Sequence, residues 1–145
     1  MSVEDCAVIV GAGHGGSELA VSLRDQGWTG RIVLVGEESD LPYHRPPLSK
    51  AHLAGEIDDQ ALLLRAPEAY ERAQVECRFG VRVHSIDRAG HKVSLSDGSE
   101  LSYTKLALAT GGQPHSLPTT LLLEQYENVH RLYTKRDAER IRSQM

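Results

Sequence analysis

Two short apolar runs flank a glycine-rich hexapeptide near the start of the chain, and nothing else constrains the fold as strongly. Cys6 to Val10 (CAVIV) is continuously apolar, as a parallel strand covered on both faces must be. Gly11-Ala12-Gly13-His14-Gly15-Gly16 follows at once. Ser17 to Gln26 then reads as a helix, with Leu19, Ala20 and Leu23 on one stripe, and Gly27 stands where a left-handed C-terminal cap is wanted. Arg31 to Val35 (RIVLV) is a second buried strand, and the whole has the size of a βαβ unit, roughly thirty residues.

In such a unit each loop glycine has its own work. Gly11 permits the tight turn, Gly13 lets the backbone approach a pyrophosphate, and Gly16 allows close packing of helix on strand. The free N–H groups and positive dipole end of the helix then face the phosphates. Glu37 lies about twenty residues further on, just past the second strand, where a carboxylate accepts hydrogen bonds from ribose hydroxyls. The bland alternative is a glycine-rich turn that holds no ligand. His14 is expected to point away from the phosphates, and Ser17 to cap the helix or touch phosphate.

The glycine motif serves NAD and FAD alike. The next segment, Tyr43-His44-Arg45-Pro46-Pro47-Leu48-Ser49-Lys50, sets two cations on a loop that its prolines bar from a regular interior. Arg45 is suited to phosphate charge and Lys50 to a point charge beside an electron-rich ring; alternatively both are solvated cations on a stiffened loop. Pro47 to Leu53 is expected to form a short helix, Pro67 to Ala73 another. Gly80 to Asp87 and His91 to Ser96 alternate, with Val81, Val83 and Ser85 on one face of the first, and Asp97-Gly98 turns an antiparallel meander. Leu106 to Ala109 is a further buried strand closed by Thr110-Gly111-Gly112, and Arg136 to Met145 starts a helix. The fold class is therefore α/β: a Rossmann-like βαβ with a parallel sheet, plus a small antiparallel β-meander.

Composition narrows the partners. In 145 residues, sixteen Lys and Arg are interspersed with twenty Asp and Glu, a net charge of −4, which gives no footprint for nucleic acid. The acidic N-terminus and the stop at Gly11 exclude a signal peptide or a membrane span there. Cys6 and Cys77 are far apart, and the seven histidines show no HxH or HxxxH spacing, so no metal site is expected. No GxSxG elbow suggests a hydrolase. A protein of the reducing cytoplasm is the expectation.

The stretches VIVGAGHGGSELAVSLR, RIVLVGEE, LPYHRPPLSKAHLAG and YTKLALATGG together resemble the N-terminal portion of the FAD-dependent pyridine nucleotide oxidoreductases. The likeness is strongest to the branch of ferredoxin, putidaredoxin and rubredoxin reductases, and it runs through essentially the whole chain. The resemblance implies FAD as cofactor, with NAD(P)H as electron source and a ferredoxin or rubredoxin-like protein as acceptor in the full-length parent. It implies that Gly11, Gly13, His14, Gly15 and Gly16 line the pyrophosphate and Glu37 the adenosine ribose. It gives Val83 backbone bonds to adenine, closes Ala109, Thr110 and Gly111 over the cofactor, and sets Arg45 and Lys50 on the flavin side. Lys50, near the isoalloxazine, is the catalytic candidate.

Departures from the family pattern are equally informative. The CxxxxC pair of the disulfide-reductase branch is absent, which argues against a thiol relay. Gln113 stands where many relatives have a basic residue, and Tyr133 replaces an arginine common among them. Only one GxGxxG is present, and the chain stops at Met145, about where an NAD(P)H-binding domain should begin. Residues 1–112 are thus expected to be the N-terminal part of an FAD-binding domain and 113–145 a connector toward the NAD(P)H domain. The chain is then a fragment or a truncated product. Competing readings are a non-catalytic dinucleotide-binding module or remnant, and an NAD-dependent dehydrogenase lacking its substrate domain.

Overall fold

The computed structural model describes residues 5–115 and 129–145. Residues 1–4 and 116–128, which include part of the expected connector, lie outside the described residues. Two compact units divide the chain: residues 1–43 with 64–111, and residues 44–63 with 112–145.

The first unit carries a parallel sheet ordered β3-β2-β1-β7, made of β1 (Cys6–Val10), β2 (Arg31–Gly36), β3 (Val75–Phe79) and β7 (Lys105–Leu108). Val8 pairs with Val33 on one side and Leu106 on the other, so β1 is central, as its unbroken apolar run requires. The period-two alternation of the strands sorts their side chains into two cores. Cys6, Val8 and Val10 of β1 and Val33 and Val35 of β2 face one way. They meet Val93, Leu95, Leu101 and Tyr103 of the antiparallel meander β4 (Val83–Asp87), β5 (Lys92–Leu95) and β6 (Glu100–Ser102). Ile9, Ile32 and Leu34 face the other way, onto Ala20 and Val21 of α1 (His14–Asp25) and Tyr70 of α3 (Pro67–Arg72). The sheet is the middle of three layers. Burial of aliphatic side chains on both faces is worth roughly 1.5–3 kcal/mol for each residue fully removed from water.

Several sequence expectations shift here. Helix α1 begins at His14, three residues before its expected start at Ser17, because the glycines themselves enter the first turn. Its C-terminus ends as expected, at Gly27 with φ +87°. Ser85 does not continue the buried face of Val81 and Val83: the pairing with β5 is irregular between Val83 and Ser85, and Ser85 is exposed. Strand β3 is missing from the sequence reading, although Val75, Cys77 and Phe79 alternate with Glu76 and Arg78. Arg31 of neighbouring β2 donates to Glu76 at 2.9 Å, and Arg78 donates to it at 2.7 Å. Burial pushes the Glu76 carboxyl up, but these two guanidinium bonds outweigh it and hold it below its ordinary value.

In the second unit the diproline opens a single 3-10 turn, Pro46–Ser49, rather than a helix through Leu53. Lys50 leaves helical geometry at φ −131° and ψ −117°, which ends the element. The short α2 (Asp59–Leu62) is capped by Asp58, and α4 (Lys135–Arg142) by a capping box of Thr134 and Asp137.

Candidate functional site

The glycine loop leaves the C-terminal end of β1, where an open parallel sheet presents ligands. Gly11 donates to the Val35 carbonyl at 2.8 Å and adopts φ +109°, so the turn is tied to the end of β2. A Cβ on Gly11 would lie 2.2 Å from the Ala109 carbonyl oxygen, which brings the end of β7 against the loop. A Cβ on Gly16 would lie 1.8 Å from the Gly11 oxygen and 3.4 Å from Ile9 Cγ2, so helix and strand touch backbone to side chain. These two positions admit glycine alone. Gly13 and Gly15 differ: a Cβ on either would meet nothing within 4 Å.

No side chain caps α1, whose N-cap is Gly13. The contrast with α2 and α4, each closed by its own carboxylate or hydroxyl, is chemical. An N-terminus without a side-chain acceptor, lined by two glycines that face open space, is a cradle for an anionic group. A pyrophosphate fits it. His14 is exposed at the first helical position.

Ser17 does not take the capping or phosphate role expected of it. It lies inside the first turn, fully buried, and shares a 2.6 Å hydrogen bond with the Tyr70 hydroxyl. Burial pushes the Tyr70 phenol up, against a smaller opposing effect of that bond. Glu18, the next residue, accepts from Arg65 at 2.7 Å, so its negative charge near the cradle is matched.

Glu37 follows β2 directly and is exposed, with Oε1 3.8 Å from Arg82 Nη1. The backbone carries the neighbouring segment to it: Gly80 donates to the Glu38 carbonyl at 3.0 Å and Val81 to the Gly36 carbonyl at 3.1 Å. Val83 thereby starts β4 close to the end of β2. Gly36 is a position that the sequence reading misses. A Cβ there would lie 2.6 Å from Ala12 Cβ, so this glycine makes room for the loop. Ala109 donates to the Val10 carbonyl at 2.8 Å, Thr110 is exposed, and Gly111 turns away at φ +64°. The glycine loop, Glu37, Val83 and Ala109-Thr110-Gly111 thus gather along the C-terminal edge of one sheet.

Arg45 and Lys50 belong to the second unit. Arg45 donates from Nη1 to the Tyr133 carbonyl at 2.7 Å, and its guanidinium carbon sits 4.3 Å over the Tyr133 ring. Lys50 is exposed at the end of the 3-10 turn. His52 is 1% exposed and bonds Asp59 through Nε2 at 3.1 Å, while Lys135 donates to the other Asp59 oxygen at 2.9 Å. Those contacts, Lys135 first, hold the Asp59 carboxyl below its usual value.

Both cysteines are free thiols, Cys6 buried and Cys77 half-buried, and burial raises the Cys77 thiol. No group of three or more His, Cys, Asp or Glu suited to a metal ion occurs among the described residues. Among those residues no helix is long and apolar enough to cross a membrane.

Residues 6–145 match the family model described as pyridine nucleotide-disulphide oxidoreductase. The chain belongs to this family. Its members use FAD and NAD(P)H. Within the pyridine nucleotide-disulphide oxidoreductases, the chain is 44% identical to putidaredoxin reductase from Pseudomonas putida, over 100% of this chain and 35% of that protein. Rhodocoxin reductase from Rhodococcus erythropolis is 41% identical over 95% of this chain and 32% of its own length. The reductase in the crystal structure of a covalent putidaredoxin reductase–putidaredoxin complex superposes with a TM-score of 0.89 at 45% identity, covering 97% of this chain and 34% of that one. The chain spans about a third of the length of the curated relatives it matches. The fold is accordingly an α/β, Rossmann-type FAD-binding fold with a parallel sheet and a separate three-stranded antiparallel sheet.

Proposed function

We propose that this chain is the FAD-binding portion of an NAD(P)H-dependent reductase that passes electrons through FAD to a small ferredoxin or rubredoxin-like protein. The observation that carries the reading is the side-chain-free N-terminus of α1, with Gly13 and Gly15 facing open space. Residues 1–112 are then the N-terminal part of the FAD-binding domain and 113–145 a connector toward the NAD(P)H-binding domain. The names of two relatives, putidaredoxin reductase and rhodocoxin reductase, support the electron acceptor class.

In this reading the backbone at Gly11, Gly13, His14, Gly15 and Gly16 holds the pyrophosphate, where the helix dipole favours negative charge. Glu37 accepts from the adenosine ribose, and the Val83 backbone meets adenine. Ala109, Thr110 and Gly111 lie over the cofactor. Arg45 and Lys50 serve the flavin side, with Lys50 the cation for the flavin ring. Bound FAD supplies the two-electron to one-electron conversion, and the chain contributes position, charge and exclusion of water. The two free thiols suit a reducing cytoplasm.

Titration of the purified chain with FAD, FMN and NADH, followed by flavin or nicotinamide fluorescence, tests the assignment. Saturable FAD binding, with FMN weaker for want of the adenylate, is expected. Binding of NADH in preference to FAD contradicts it.

A further inference from the structure

The second unit holds Arg45 by two different kinds of contact to a single residue. Nη1 donates to the Tyr133 main-chain carbonyl at 2.7 Å, and the guanidinium carbon lies 4.3 Å above the Tyr133 ring centroid. A carbonyl fixes one edge of the planar guanidinium, and an aromatic face fixes its plane. Tyr133 is in turn fixed at both of its ends. Its hydroxyl donates to the Gly112 carbonyl, and its N–H donates to Asp137 Oδ2 at 3.1 Å. Asp137 is the carboxylate of the capping box: it also accepts from the Thr134 N–H at 2.8 Å, while its own N–H donates to Thr134 Oγ1 at 3.2 Å. The start of α4 therefore sets the Tyr133 carbonyl, and the carbonyl and ring together set Arg45.

We propose that Tyr133 is a positioning residue that orients the Arg45 guanidinium for FAD. The inference rests on the reading of Arg45 as an FAD contact. An arginine side chain free to sample its rotamers must lose that freedom when it meets a ligand. Here the order is built into the protein, and the planar face is presented in one orientation, which a flexible ammonium in its place could not match. The sequence departure at Tyr133 acquires a function: an aromatic ring that serves the cation at Arg45.

The test is FAD affinity of the whole chain in a set of four variants, read by flavin fluorescence, with thermal unfolding of each followed alongside. Arg45→Ala is expected to weaken FAD, since it removes the guanidinium. Tyr133→Leu is expected to weaken FAD by roughly threefold to thirtyfold, the span of a cation–π contact. Tyr133→Phe keeps the ring and the carbonyl and is expected to stay within about twofold of wild type, which a merely structural loss of the hydroxyl bond to Gly112 would not predict. In the Arg45→Ala background, Tyr133→Leu should cost nothing further. Additive losses in the double variant, or a Tyr133→Leu affinity equal to wild type while Arg45→Ala is weak, overturn the role of Tyr133 and leave the FAD site standing. An Arg45→Ala variant with unaltered affinity overturns the Arg45 contact and the inference with it.

Discussion

Gly13 and Gly16 occupy one loop, yet a methyl group added to each has opposite consequences. At Gly16 the new Cβ would strike the Gly11 oxygen at 1.8 Å, backbone against side chain, with no flexible partner to yield. Gly16→Ala should therefore lower folding stability toward or beyond the upper end of about 1–3 kcal/mol for overpacking, seen as an earlier urea midpoint. At Gly13 a Cβ meets nothing within 4 Å. Gly13→Ala should cost only about 0.5–1 kcal/mol, since alanine is a poorer N-cap than glycine. In FAD affinity it should lose about tenfold or more, because the methyl fills the space where the backbone meets phosphate. Equal stability losses at the two positions would contradict this division of labour. The buried pair of Ser17 and Tyr70 gives a second test at this scale. Ser17→Ala or Tyr70→Phe alone leaves a buried hydroxyl unpaired and should cost roughly 1–3 kcal/mol, while the double variant should cost less than the sum of the two. Strictly additive losses would show that the hydroxyls are not paired. Gly11, Gly13 and Gly16 are legible from sequence because the motif states their geometry. Ser17 is not, since its partner Tyr70 lies 53 residues away on α3.

Among the elements, the helix α4 and its anchors are sensitive to acid. Burial raises the Asp137 carboxyl, but bonds from the Thr134 and Tyr133 main chain outweigh it and hold it below the ordinary value. Asp59 is held low in the same direction by Lys135 and His52. A carboxylate with a depressed folded pKa contributes stability that is complete above its unfolded value, about 3.9, and is lost as pH falls through the folded value. Protection of the α4 amides against hydrogen exchange should fall below about pH 4, and Asp137→Asn should show the same lowered protection already at neutral pH. Protection of α4 that is unchanged down to pH 3 in wild type would contradict the anchoring role. At this scale β1 and β2 were readable because both their faces are covered, whereas β7, expected as a buried strand, lies at the sheet edge and is only partly covered, with Leu108 exposed. Strand β3 was not readable, because Glu76 and Arg78 give it the look of surface; it lies at the sheet edge, where one flank is charged. The 3-10 turn at Pro46–Ser49 departs from the expected helix because Lys50 takes a backbone geometry that no propensity announces.

For the molecule as a whole, the three layers of the first unit follow from alternation within two strands. Cys6, Val8 and Val10 belong to one core, and Ile9, with Ile32 and Leu34 from β2, to the other. The placement of the glycine loop, Glu37, Val83 and Ala109-Thr110-Gly111 then follows from strand direction, since each sits past the C-terminal end of a strand or beside one. What sequence could not supply is the company each side chain keeps: the open space at Gly13, the Arg82 beside Glu37, the ring beneath Arg45. In the proposed function the bare N-terminus of α1 receives the pyrophosphate of FAD. Amide chemical shifts of the isotopically labelled chain, recorded with and without FAD, test it most directly. Shifts concentrated at residues 11–17, with a second group around Glu37 and Val83, are expected; FAD binding that leaves the Gly13 to Gly16 amides unmoved would contradict it.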